Sequence, residues 1–259
     1  TPLLYEVATG ELPFSRSQSA SALVRGASVD FAEDILASYS AIVWKHSRVC
    51  QVDSEKRSVL CEDGTVMEYD RLVLSVGCAI ATYGISGASS YAIPLKTIEH
   101  ALQIRDVLHR LFAECMRGTR KRLDVVIAGG GASGVETAAE LAHFLRHRCQ
   151  RGKNQMGFHI TIVEASSEIL SQFSPRVRST ARRRLSSLGV TMATSMCVTE
   201  VNPQAVHIRS VNGEETILPA DACIWACGLE PNSLIATLPF KQDGKGRLFV
   251  DATGRVQGQ

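Results

Sequence analysis

The residues of this 259-residue chain best suited to chemistry are a run of glycines and one acid, set among apolar segments. Gly129-Gly130-Gly131-Ala132-Ser133-Gly134 puts glycine at the first, third and sixth places of G-x-G-x-x-G. Gly129 would permit a tight turn, Gly131 a close approach of backbone to phosphate, and Gly134 close contact between helix and strand. Before the loop, Leu123, Val125, Val126 and Ile127 form the short apolar run of a parallel strand buried on both faces. After it, Val135, Ala138, Ala139, Ala142 and Leu145 return at helical spacing. The turn through Gly130, Gly131, Ala132 and Ser133 would therefore offer an anion free N–H groups and the positive end of a helix dipole. A second apolar run, His159 to Val163, ends in Glu164, where a carboxylate can accept hydrogen bonds from ribose hydroxyls. In this order the pieces suit a dinucleotide, with pyrophosphate on the glycine turn and adenosine ribose on the acid. Ala165-Ser166-Ser167 follows Glu164 with no arginine beside it. That favours NAD over NADP, because the carboxylate would repel a 2′-phosphate. The acid lies well beyond the usual ~20-residue spacing from the first glycine. The polar, basic stretch Arg146 to Gly157 accounts for the excess as an extended helix end plus a surface loop.

Other candidates weigh less. Glu140 and His143 form E-x-x-H on the same helix, with His147 one turn on, but a single such motif without a partner helix makes no di-iron site. A solvated face is the expectation there, and no metal site is assigned. The arginines at 176, 178, 182, 183 and 184 are likewise read as a solvated helix face. The eight cysteines show no C-x-x-C and no metal-like spacing, which suits free thiols in a reducing compartment. Cys223 and Cys227 share a strand face but would stand ~13 Å apart, too far for a disulfide.

The elements that must position the loop follow from periodicity and punctuation. Phe31 to Ala37 reads as a helix, Ala41 to Val52 as one or two strands, and Lys56 to Cys61 as another. Glu62-Asp63-Gly64-Thr65 is a hairpin turn into Val66–Tyr69. Tyr69 to Gly77 reads as a buried strand with a flexible tip, and a helix from Ile98 to Met116 is stopped by Gly118. Ser174-Pro175 starts a helix that Gly189 ends, with serine as N-cap and proline at the first position. A strand over 190–194, a meander of short strands around Asn212-Gly213 and a buried strand over 221–228 follow, with a further strand beginning at 246. Hydrophobic content of 45% and charged content of 21% are those of a globular protein. No apolar run reaches the ~20 residues of a spanning helix, and a net charge of +2 gives no reason to expect nucleic acid.

Taken together, TPLLYEVATG (1–10), YDRLVLSVG (69–77), PLKTIEHALQIR (94–105), VIAGGGASGVETAAEL (126–141) and ADACIWACGLEPN (220–232) resemble one family. It is that of flavoproteins with two dinucleotide-binding domains, the pyridine nucleotide-disulfide oxidoreductases, and the likeness is greatest to type II NADH:quinone oxidoreductases. The resemblance implies an α/β, Rossmann-like FAD/NAD(P)-binding fold with an NADH domain inserted in an incomplete FAD domain. Residues 1–95 would be the FAD part, 96–228 the NAD(H)-binding domain, and 229–259 the return to the FAD part. It implies FAD and NADH as cofactors, hydride transfer from NADH to flavin, and electrons passed on to a quinone. Glu136 would sit close to the nicotinamide as the catalytic residue, and Gly228 near the same end; the plain reading of Glu136 is a first-turn acid favouring the helix dipole. Thr1 and Pro2, with Ser75 and Gly77, would bracket FAD, although Ser75-Val76-Gly77 departs from the usual A-T-G. The family's first glycine motif would precede Thr1, and its later Gly-Asp strand and membrane-attaching segment would follow Gln259, so the chain reads as a fragment. The intact protein would lie peripheral to a membrane on the cytoplasmic or organellar-matrix side, with a homodimer left open. A disulfide, sulfide or ferredoxin reductase, or a non-catalytic NAD(H)-sensing domain, stands as the alternative.

Overall fold

The computed structural model describes residues 41–151 and 157–258. The readings made for Thr1, Pro2 and the helix over 31–37 lie outside them, as does the loop over 152–156. The described chain divides into two compact units, residues 82–227 and residues 41–81 with 228–258.

The second of these opens with a three-stranded antiparallel meander, β1 (Val49–Asp53), β2 (Ser58–Cys61) and β3 (Val66–Glu68). Short acids make its turns. Asp53 Oδ1 accepts the N–H groups of Glu55 and Lys56, and Asp63 Oδ1 accepts that of Thr65 beside Gly64 at φ 82°. Residues 41–48 form no strand, and Val43 is 91% exposed. The strand expected over 69–77 is also absent. Its backbone finds no ladder partner among the described residues, and Val73 is exposed; an apolar run becomes a strand only when a neighbour pairs its N–H and C=O groups. After it comes the short strand β4 (Cys78–Ile80).

The 82–227 unit carries the larger core. Its elements are α1 (Ala88–Tyr91), β5 (Ala92–Pro94), α2 (Ile98–Met116), β6 (Arg122–Ala128), α3 (Ala132–Arg151) and β7 (Gly157–Glu164). They continue with α4 (Pro175–Ser187), β8 (Val190–Thr194), β9 (Met196–Val201), β10 (Ala205–Ser210), β11 (Glu215–Pro219) and β12 (Ala222–Trp225). A five-stranded parallel sheet has the order β5-β12-β6-β7-β8, and β9, β10 and β11 form a separate antiparallel sheet. Residues 82–95 belong to this unit because β5 pairs with β12, so the unit begins earlier than the 96 read from sequence. Leu123, Ile127, Ile160, Ile162 and Leu145 are fully buried between sheet and helices. Each such side chain contributes roughly 1.5–3 kcal/mol. Thr97 and His100 cap α2 reciprocally, Thr97 Oγ1 accepting the His100 N–H and His100 Nδ1 accepting the Thr97 N–H. Burial holds the His100 imidazole below its ordinary pKa, which keeps that nitrogen available as an acceptor. At the amino-terminal end of the central strands, Arg120 bridges Glu114 and Asp221, and Asp221 Oδ2 accepts the N–H of Asp124, fixing the start of β6 beside β12.

The chain then returns to the smaller unit through β13 (Leu229–Pro231), antiparallel to β4, and α5 (Ser233–Ala236), capped by Asn232. Residues 246–251 form only isolated bridges, because Asp243 and Asp251 fold the chain into tight loops by accepting N–H groups two and four residues on. The cluster of buried residues here is small, Val52, Val59, Leu234 and Leu238. Among the described residues no helix is long and apolar enough to cross a membrane.

Candidate dinucleotide site

The carboxyl ends of β6, β7 and β12 meet where strand order reverses about β6, the crevice in which open α/β sheets take their ligands. β6 stops because Gly129 turns at φ 107°, its N–H held by the Val163 carbonyl at 2.8 Å. A Cβ there would lie 2.4 Å from the Ala226 carbonyl oxygen, so the turn is both left-handed and crowded. Gly134 is buried, and a Cβ on it would stand 1.9 Å from the Gly129 carbonyl oxygen and 3.5 Å from Ile127 Cγ2. This is the seam between α3 and the turn. Gly131 differs from both: it is exposed, keeps φ outside the left-handed region, and leaves nothing within 4 Å of a Cβ. Ala132 and Ser133 are exposed beside it at the start of α3, at the positive end of the helix dipole. Open space and a dipole end thus coincide.

Glu164 closes the other side. It ends β7 half-buried, with Oε2 accepting the Gly130 N–H at 2.7 Å and Oε1 accepting the Ser166 N–H at 2.7 Å. Ala165, next in line, is exposed. Glu136 is exposed at the fifth residue of α3, one turn past the position of the dipole-facing acid expected from sequence. Its neighbours Val135, Thr137 and Ala138 face the core, and Thr137 Oγ1 donates back to the Ser133 carbonyl at 2.6 Å.

The remaining expected residues belong to the smaller unit. Ser75 and Gly77 are exposed, Gly77 at φ 66°, with the intervening Val76 carbonyl accepting from Asn232 Nδ2 at 3.1 Å. Gly228 is exposed at φ 128°. Glu140 and His143 are exposed two to three turns along α3, where with Ala139, Arg184 and Leu188 they line an open cleft of about 260 Å³. Arg178 and Arg182 pair with Glu168.

Several contacts escaped the sequence reading. The Ala226–Cys227 backbone lies against Gly129, the Leu170 N–H holds the Gly130 carbonyl at 2.8 Å, and the Tyr83 hydroxyl donates to the Cys227 carbonyl at 3.1 Å. Glycine at position 130, where the motif tolerates any residue, was the one available signal. Burial pushes the Cys223 thiol up to about 12, reinforced by Cys227; burial, then Glu164 and Cys197, raises Cys227 to about 12. Both stay protonated at neutral pH, and both are free.

Comparison with known proteins agrees with this geometry. The internal alternative NAD(P)H-ubiquinone oxidoreductase A1 of Arabidopsis thaliana mitochondria is 33% identical over 82% of this chain and 42% of its own length. The type II NADH:quinone oxidoreductase of Staphylococcus saprophyticus is 26% identical over 87% of this chain and 58% of its own. The solved structure of NDH2 from Plasmodium falciparum in complex with NADH matches at a TM-score of 0.77 and 24% identity, over 95% of this chain and 51% of that one, a likeness of fold. The chain spans about half the length of the curated relatives it matches. The family model of the pyridine nucleotide-disulphide oxidoreductases matches residues 4–259, and the chain belongs to that family.

Proposed function

We propose that the chain holds NADH on the 129–134 loop and is part of a flavoprotein that passes hydride from NADH to FAD and electrons on to a quinone. The observation that carries this is the open backbone at Gly131, at the N-terminal end of α3 and beside the Glu164 carboxylate. The pyrophosphate would lie across Gly130, Gly131, Ala132 and Ser133, and Glu164 would take the adenosine ribose hydroxyls. A carboxylate offers about four lone-pair sites, so two remain beyond the backbone bonds to Gly130 and Ser166. Glu136, one turn along α3, would stand toward the nicotinamide, where its charge favours the cationic oxidised ring. Gly228 would lie toward the same end. This makes 82–227 the NADH half, and 41–81 with 228–258 part of the FAD half.

For FAD the fit is partial. Ser75 and Gly77 are exposed, without a second glycine loop beside them among the described residues. When bound, FAD would supply N5 as hydride acceptor. This chain's residues would hold the pyrophosphate and ribose and so orient the dinucleotide for that transfer. The alternative names of relatives as ubiquinone or quinone oxidoreductases support a quinone as acceptor. The reading as a disulfide reductase finds no support in Cys223 and Cys227, which burial keeps as thiols. The intact protein would lie peripheral to a membrane, on the cytoplasmic or organellar-matrix side, with a homodimer open to it. Titration of NADH and NADPH by quenching of tryptophan fluorescence tests the binding step. NADH should bind at least about tenfold tighter, and equal affinities would contradict the assignment.

A further inference from the structure

We infer that Glu164 is a positioning residue for the glycine loop, in addition to any contact it makes with ribose. The inference rests on the NADH reading for its consequence and on the bonds around Gly130 for its substance. The Gly130 peptide is held on both sides, its N–H by Glu164 Oε2 at 2.7 Å and its carbonyl by the Leu170 N–H at 2.8 Å. The same carboxylate reaches Ser166 N–H with Oε1 at 2.7 Å, tying the loop after β7 to the loop after β6. Gly130 is buried, and a Cβ on it would stand 2.9 Å from Glu164 Cβ and 3.0 Å from Cγ and Oε2. The side chain lies flat on the glycine. The second place of G-x-G-x-x-G is therefore glycine here because the glutamate needs that space, and the two residues form one unit.

Charge-assisted bonds to backbone N–H groups are strong, and these two fix the plane from which the next donors, at Gly131 and Ala132, are presented. A truncated residue 164 leaves the Gly130 N–H buried without a partner. Glu164→Ala should then weaken NADH without strengthening NADPH, so that a preference narrows by loss alone. Gly130→Ala, which forces the carboxylate off the loop, should reproduce much of that loss.

The deciding experiment compares NADH with an analogue lacking both hydroxyls on the adenosine ribose, binding each to the 259-residue chain and its variants by calorimetry. If Glu164 positions the loop, Glu164→Ala weakens the analogue about tenfold and NADH by more. Glu164→Gln, with one oxygen left, should fall between parent and alanine. If Glu164 is a ribose ligand only, parent and Glu164→Ala bind the analogue equally, and the inference is overturned. Amide hydrogen exchange reads the same bonds with no nucleotide present. The Gly130 and Ser166 N–H groups should be protected in the parent and exchange at least about tenfold faster in Glu164→Ala, while the Leu123–Ala128 amides keep their protection. Unchanged exchange at Gly130 would also overturn it. A parent that binds neither nucleotide would refute the NADH reading, with the exchange result still deciding the role of Glu164.

Discussion

A Cβ placed on Gly134 would lie 1.9 Å from the carbonyl oxygen of Gly129, so the first turn of α3 rests directly on the turn that ends β6. No side-chain rotation relieves such an overlap, because both partners are backbone. Gly134→Ala should force the helix away from the strand and cost about 1–3 kcal/mol, the usual range for overpacking. Thermal denaturation would show this as a fall of several degrees in Tm. An unchanged midpoint would mean that the helix is free to slide.

Thiol reactivity offers a check on the core. Cys50 and Cys197 are exposed, whereas Cys61, Cys115 and Cys223 are buried and Cys223 is held protonated by burial. Exposed thiols should react with a disulfide reagent at pH 8 in the fast phase, and the buried three only on unfolding. Mass spectrometry of the labelled peptides identifies them; early labelling of Cys223 would contradict the packing of β12.

The cap of α2 should be sensitive to acid. Burial lowers the His100 pKa, so the folded state prefers the neutral ring that accepts the Thr97 N–H. A base with a depressed folded pKa binds fewer protons when folded. Its contribution is present above the unfolded value near ~6.5 and is lost as pH falls through the lower folded value. His100→Gln keeps an N3 acceptor and removes the titration. The Tm difference between parent and His100→Gln should therefore shift between pH 7.5 and 5, to the parent's disadvantage in acid. A difference independent of pH would dismiss this role.

Strand, loop and helix around Gly129 were legible because burial on two faces and a 3.6-residue period leave separate marks in sequence. The helix over 98–116 and the strand over 190–194 carry the same marks and form with those bounds. The run 69–77 looks no different from β6 in composition, yet it forms no strand, since pairing depends on a neighbour that composition cannot supply. Glu164 shows the matching limit within the site. Its position at the end of β7 was readable, but its bonds to Gly130 and Ser166 depend on where two loops point their N–H groups. The approach of Ala226 to Gly129 joins segments far apart in sequence and left no local trace.

The central claim is that the backbone at Gly131 is where a dinucleotide pyrophosphate sits. A Cβ there meets no heavy atom within 4 Å and no left-handed φ, so valine should cost little beyond a poorer helix N-cap, about 1 kcal/mol or less. Its effect on a phosphate brought against the same backbone is steric and large. Measuring NADH affinity and Tm together in Gly131→Val separates the two. The account predicts affinity reduced about a hundredfold or more with Tm within a few degrees of the parent; parent-like NADH affinity in the folded variant would contradict it.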